Sequence, residues 1–196
     1  MTAHTSPWMT DELAMLQDHV PPFAAAQAKI EIERGLDRSV DEMFAQFGKE
    51  PVASASIAQV HFGTLHDGTQ VAIKVLRPGM SDIIERDMAL LRVLGKMVLR
   101  LSVDAKRLRP LDVIDEFDTY LHDELDLLRE AANASQLRRN FADSPLLLIP
   151  EMYWDYCAQN VLVMQRMHGI PIGRTDRLRQ GGIDLKQLSR DGVEIF

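Results

Sequence analysis

Two runs of β-branched and apolar residues, 57–64 and 71–76, flank His66-Asp67-Gly68. An Asp-Gly pair between such runs predicts an antiparallel hairpin. The tight turn that matches strand twist needs positive φ, which glycine adopts without steric cost. Arg77-Pro78-Gly79 ends the second run. This hairpin is the framework on which the helical patterns before and after it are placed.

Residues 10–18 predict a short helix, with Thr10 as N-cap and Leu13 and Leu16 inside, stopped by Pro21-Pro22. Residues 24–34 are alanine-rich and helical, and Gly35 is the expected stop. Ser39-Val-Asp-Glu42 has capping-box spacing. After the hairpin, 82–100 places Ile84, Met88, Leu91, Leu94, Val98 and Leu101 on one helical stripe. Residues 110–140 repeat the pattern at Val113, Phe117, Leu121, Leu125, Leu128, Ala132 and Leu137, as one long helix or two. Runs 146–149 and 161–164 have strand length. Asp184 caps a last helix, 185–196, with Leu185, Leu188 and Val193 inward. This order predicts an α+β fold, a small antiparallel sheet with helices on one side. The pattern is cut inside the last helix, so the chain is expected to be a fragment, with apolar surface exposed at Val161, Val163, Ile195 and Phe196.

Apolar content of 46% and charged content of 26% suit one ordinary globular domain with a core. A formal charge of −7 argues against nucleic acid as main partner, since phosphate binding needs a basic face. The single cysteine, Cys157, excludes an internal disulfide, suits a reducing compartment, and has no histidine nearby to activate it. The most apolar stretch, 88–101, carries Arg92, Lys96 and Arg100 and is short of the ~20 residues a membrane span needs. Residues 1–7 lack the basic and apolar regions of a secretory signal.

Three stretches carry chemistry. Pro51-Val-Ala-Ser-Ala-Ser-Ile-Ala-Gln-Val-His61 is rich in Ala and Ser. Small side chains let backbone amides approach an anion, or merely let the loop pack tightly. Val71-Ala-Ile-Lys74 puts a lysine on the strand face opposite Ile73 and Val75. That lysine is either a solvated edge residue or a phosphate-pairing one. Asp123-Glu-Leu-Asp-Leu-Leu-Arg-Glu130 carries Glu124, Asp126 and Glu130. On one helix these acids point in three directions and form no single metal cluster. The segment is either an ordinary charged helix with its acids solvated, or one whose Glu130, followed by small residues at 131, 132 and 134, partners Lys74. His61, Trp8, Trp154 and Met164 read as structural.

Taken together, 51–61, 71–78, 124–141 and 153–171 resemble the bacterial UbiB branch of the ABC1/ADCK/UbiB atypical kinase-like family, over about residues 11–196. The resemblance implies a kinase-like N-terminal lobe truncated before the C-terminal lobe. It implies an alanine-rich loop in place of the kinase glycine-rich loop, formed by Val52, Ala53, Ser54, Ala55, Ser56, Ile57, Ala58, Gln59 and Val60. Lys74 takes the place of the ATP-pairing lysine and Glu130 that of its helix partner, while Glu124 and Asp126 match the family's Glu-x-Asp motif. Gln165, Arg166 and Met167 fall at the hinge that meets adenine, with Gln165 where the family usually has Glu. Glu124 is expected to be unpaired or solvated, its family partner being the lysine of a Lys-x-Gly-Gln motif that these residues do not contain.

The family's His-x-Asp-x-His-Pro-x-Asn and Asp-Phe-Gly segments and its membrane-spanning region are also not among these 196 residues. No catalytic residue and no metal ligand is therefore assigned here, and the fragment itself is expected to be inactive and soluble. The implied organisation is an N-terminal helical extension at 1–50, the lobe with inserted helices at 51–164, and the hinge with the start of the next lobe at 165–196. The implied cofactor is ATP with Mg. The implied role is an atypical kinase or ATPase supporting ubiquinone biosynthesis at the cytoplasmic face of the inner membrane, with that pathway's enzymes and prenyl-lipid intermediates as partners. The alternative is a non-catalytic regulatory module for those enzymes at the membrane.

Overall fold

The computed structural model describes residues 21–101 and 105–195. The helix expected at 10–18, Trp8 and Phe196 lie outside the described residues. In chain order the elements are α1 (Ala25–Leu36), α2 (Val40–Met43), β1 (Phe44–Phe47), β2 (Ala53–Ser54), β3 (Ala58–Leu65), β4 (Gln70–Leu76), α3 (Met80–Leu101), α4 (Ala105–Leu108), α5 (Pro110–Glu124), α6 (Leu127–Asn140), a 3₁₀ turn (Trp154–Tyr156), β5 (Val161–Gln165), α7 (Thr175–Gln180) and α8 (Leu185–Ile195).

The predicted hairpin is β3–β4, antiparallel, with Gly68 at φ 89° in its turn. The sheet runs β1-β3-β4-β5, and β2 folds back on β3. All these pairings are antiparallel. In β4, Val71, Ile73 and Val75 join Val161 and Val163 of β5 on one face, packed against Ile32 of α1, Val40, Met43 and Phe44. Leu76 and Leu162 turn the other way, toward Ile84 and Met88 of α3 and toward Leu125, Leu127 and Ala131 at the start of α6. The α+β class holds. The helices expected on one side flank both faces, because β4 and β5 are apolar on both. For the same reason Val161 and Val163, expected at the surface, are fully buried beneath α1.

Other boundaries differ from expectation for local reasons. Helix α1 runs through Gly35 and ends where Asp37 turns left-handed at φ 50°. Ser39 and Glu42 then form the expected capping box of α2. The stretch 110–140 is two helices, broken at Leu125–Asp126, where Asp126 leaves helical geometry and caps α6. Run 146–149 is not a strand. The edge of β5 is met only past Pro150, where Gln165 N–H donates to Glu151 O at 2.8 Å and Tyr153 N–H donates to Val163 O at 2.9 Å; proline has no N–H to give such a ladder. The stripe of α3 is buried at Ile84 and Met88 and exposed from Leu94 on, and Val113 and Phe117 of α5 are exposed as well. Helix α8 buries no residue fully, and Val193 is 78% exposed rather than inward.

Candidate functional site

Strand alternation sends Ile73 and Val75 to the α1 face and leaves Lys74 on the face that α6 crosses. There Lys74 Nζ donates to Glu130 Oε2 at 2.6 Å, joining residues 56 apart in sequence. Three local features bring Glu130 to this point. Asp126 accepts from Leu128 N–H at 3.0 Å and starts α6. Leu127 N–H donates to Gln159 O at 2.9 Å, which ties that start to the segment before β5. Leu127 and Ala131 are fully buried against the sheet, and the small alanine lets the helix lie close. Glu130 sits in the first turn of α6, where the helix dipole favours an acid. Lys74 is 24% and Glu130 45% exposed, so the pair is reached by solvent.

The small-residue loop is a short hairpin. Val52 N–H donates to Val60 O and Ala55 N–H to Ala58 O, both at 2.8 Å. At its tip, the amides of Ser56 and Ile57 have no hydrogen-bond acceptor among the described residues. Val60 stands directly across from Lys74, and so shares its face.

Arg77, which sequence reasoning treated only as a strand end, holds this loop. Its Nε donates to Ala55 O at 3.1 Å, and one terminal nitrogen donates to Ser54 Oγ at 2.9 Å and Pro21 O at 2.8 Å. Its own amide donates to Ile57 O, and its guanidinium lies over the Phe23 ring. No spacing rule could have found these contacts, which join residues 21 to 77.

Gln59 behaves differently from the rest of the loop. It is buried on the opposite face, across from Val75. Its amide oxygen accepts from Phe23 N–H at 3.1 Å, and its amide nitrogen donates to Phe23 O at 3.3 Å and to His61 Nε2 at 2.8 Å. His61 must then carry its proton on Nδ1, which donates to Gly48 O at 2.7 Å. Burial pushes the His61 pKa down, so the ring is held neutral and structural.

At the end of β5 and just beyond it, two of the three hinge amides are occupied. Gln165 N–H is taken by Glu151 O, and Arg166 N–H donates to Gln70 O at 3.2 Å. The Arg166 guanidinium lies 3.8 Å from the Phe62 ring centroid. The Met167 amide has no acceptor among the described residues. Met164 packs into the core on the α6 side.

The remaining acids are apart from Lys74 in role. Glu124 ends α5, is exposed, and pairs with no cation among the described residues; its carboxylate, one turn from the Tyr120 hydroxyl, raises that phenol's pKa. Asp126 is a helix cap. The acids expected on one helix therefore lie on either side of a corner. No group of three His, Cys, Asp or Glu able to hold a metal occurs among the described residues. Cys157 donates to Tyr153 O at 3.3 Å, and burial pushes its thiol pKa up, away from nucleophilic use. Trp154, expected to pack inside, is half exposed beside a cavity of about 540 Å³ at the far end of α6, lined also by Arg138, Leu148 and Glu151.

A sheet whose inner strand presents a lysine to a helix glutamate, beside a loop with open amides, is the arrangement that cradles phosphates in kinase-like folds. A family model described as ABC1 atypical kinase-like domain matches residues 15–196. The chain belongs to this family. As an ABC1 protein it carries an atypical kinase-like domain. It is similar to a solved structure described as the complex of Rv3197 with erythromycin from Mycobacterium tuberculosis, at 28% identity and a TM-score of 0.69. That match covers 85% of this chain and 40% of the other, so the chain spans less than half the length of this relative. No helix among the described residues is long and apolar enough to cross a membrane.

Proposed function

We propose that these residues form the N-terminal half of an MgATP site in an ABC1 protein of the UbiB branch. The carrying observation is the Lys74–Glu130 pair on the sheet face beside the small-residue hairpin. An ion pair this exposed contributes at most about 1 kcal/mol to folding. Its value is positional: it holds the Lys74 ammonium where α- and β-phosphate oxygens would lie. The Ser56 and Ile57 amides meet phosphate, and Met167 N–H meets the adenine edge. The side chain of Gln59 takes no part and positions the loop from behind. The metal and the catalytic carboxylate belong to the family segments outside these residues, so Mg supplies charge neutralisation only in the longer protein. The proposed extension, lobe and hinge are 1–50, 51–164 and 165–196, with the lobe's sheet reaching back into the extension through β1, which pairs with β3.

For the whole protein the proposed role is ATP hydrolysis or γ-phosphate transfer in support of ubiquinone biosynthesis, at the cytoplasmic face of the inner membrane. Titration calorimetry of MgATP into the 196-residue chain tests the site. The expected affinity is about millimolar, near −4 kcal/mol, and Lys74→Ala abolishes it. Binding that is indifferent to Lys74→Ala would remove the lysine from the site. Micromolar, Mg-dependent binding would show that the site is already whole.

A further inference from the structure

The apolar run 146–149 forms no strand, and residues 147–149 instead line the cavity of about 540 Å³ between the end of α6 and the segment that leads to β5. Ile149 and Met152 in this lining are buried, and Phe141 and Leu147 are half-buried. Leu148 and Trp154, which line it too, are 74% and 49% exposed. The last turn of α6 adds two guanidiniums, Arg138 and Arg139, against a single acid, Glu151. The cavity is therefore locally cationic in a chain whose net charge is −7. Neither arginine is used up. Arg138 stands 3.7 Å from Glu151, beyond hydrogen-bond reach, and Arg139 donates only to Gln136 among the described residues. A guanidinium carries five N–H donors, so most of these remain free.

We propose that this cavity binds a small amphipathic anion, an aromatic or aliphatic body that carries one carboxylate or comparable oxyanion. The body packs on Trp154 and the buried apolar lining, and the oxyanion meets Arg138 and Arg139. The inference goes beyond the nucleotide site and does not rest on it, since Glu130 lies in the first turn of α6 and the cavity at its other end. The volume is that of a small-molecule pocket, in which apolar walls supply affinity and a few polar groups fix orientation. A planar guanidinium meets an oxyanion through two parallel bonds, and an indole offers a flat apolar face to the body. Two cations against one acid would repel a cationic ligand. Cations at a helix C-terminus are favoured by the dipole alone; the apolar cavity and the exposed indole beside them are what point to a ligand.

The chain has two tryptophans, Trp8 and Trp154, so Trp8→Phe in the 196-residue chain leaves Trp154 as the sole reporter. Its fluorescence is titrated with anilinonaphthalene sulfonate and with phenylnaphthylamine, the same aryl body without the anion. Saturable quenching by the sulfonate is expected, about tenfold tighter than by the amine. Arg138→Gln with Arg139→Gln should weaken sulfonate binding about tenfold and leave the amine unchanged. Leu148→Asp, which adds an anion to the lining, should weaken the sulfonate more than the amine. All three side chains are exposed, so the unfolding midpoint should stay in place, which separates lost binding from lost folding. Should the arginine pair lower the midpoint, Leu148→Asp decides alone. Equal affinity for the two compounds, sulfonate binding that survives these changes, or no saturable quenching would overturn the proposal.

Discussion

Arg77 fixes the shape of the small-residue loop more than any residue within the loop. A guanidinium offers five donors in a planar fork, and here three of its contacts span loop, strand end and N-terminal segment. Arg77→Ala is expected to speed amide hydrogen exchange across 53–58 and to cost about 1–3 kcal/mol, since Ser54 Oγ and two carbonyls lose their donor. Arg77→Lys should recover only part of this, because an ammonium cannot reproduce the fork. Protection of 53–58 that is unchanged in Arg77→Ala would refute the clamp. His61 gives a pH prediction. Its pKa is depressed in the folded chain, while the unfolded chain titrates near 6.5. The unfolded state therefore takes up the proton first as pH falls. The contribution is complete above about pH 6.5 and is lost below it, at up to ~1.4 kcal/mol per pH unit, until the folded pKa is reached. Urea unfolding between pH 5 and 8 should show this slope, and His61→Gln should flatten it.

At the scale of elements, two helices are set by contacts that intrinsic propensity does not describe. Gly35 lies inside α1, where alanine would favour the helix by about 1 kcal/mol. Yet a Cβ on Gly35 would overlap Asn160 Oδ1, while Asn160 Nδ2 donates to Glu31 O at 2.9 Å. Gly35→Ala is therefore expected to destabilise, measured by thermal unfolding, against the sign of its propensity. For α6 the cap matters more than the ion pair it presents. Asp126→Ala should cost about 1 kcal/mol and let the first turn fray, loosening Glu130. Glu130→Gln, which breaks only a solvent-exposed pair, should cost less. A larger loss from Glu130→Gln would mean that the pair is part of the core.

At the scale of the whole molecule, the sheet separates two tasks. Its α1 face is a sealed core around Ile32, Ile73 and Val163, and its α6 face carries Lys74, paired with Glu130 and open to solvent. An open half-site leaves charges screened by water. A longer protein that includes the family's remaining segments should bind MgATP at least tenfold more tightly than the 196-residue chain, by calorimetry, and Lys74→Ala should reduce that gain. The hairpin, the capping box of α2 and the alternation that isolates Lys74 from Ile73 and Val75 were legible in sequence, because each depends on residues within a few positions of one another. The pairing of Lys74 with Glu130 was legible as one of two readings of the charged helix, and the family resemblance favoured it, since no local rule joins residues 56 apart. Burial of Val161 and Val163, the split at Asp126, the inward turn of Gln59 and the clamp by Arg77 were decided by tertiary structure. Each depends on which surface another segment brings against it. A residue's own chemistry sets what contacts it can make, and only the packed chain decides which of them it is offered.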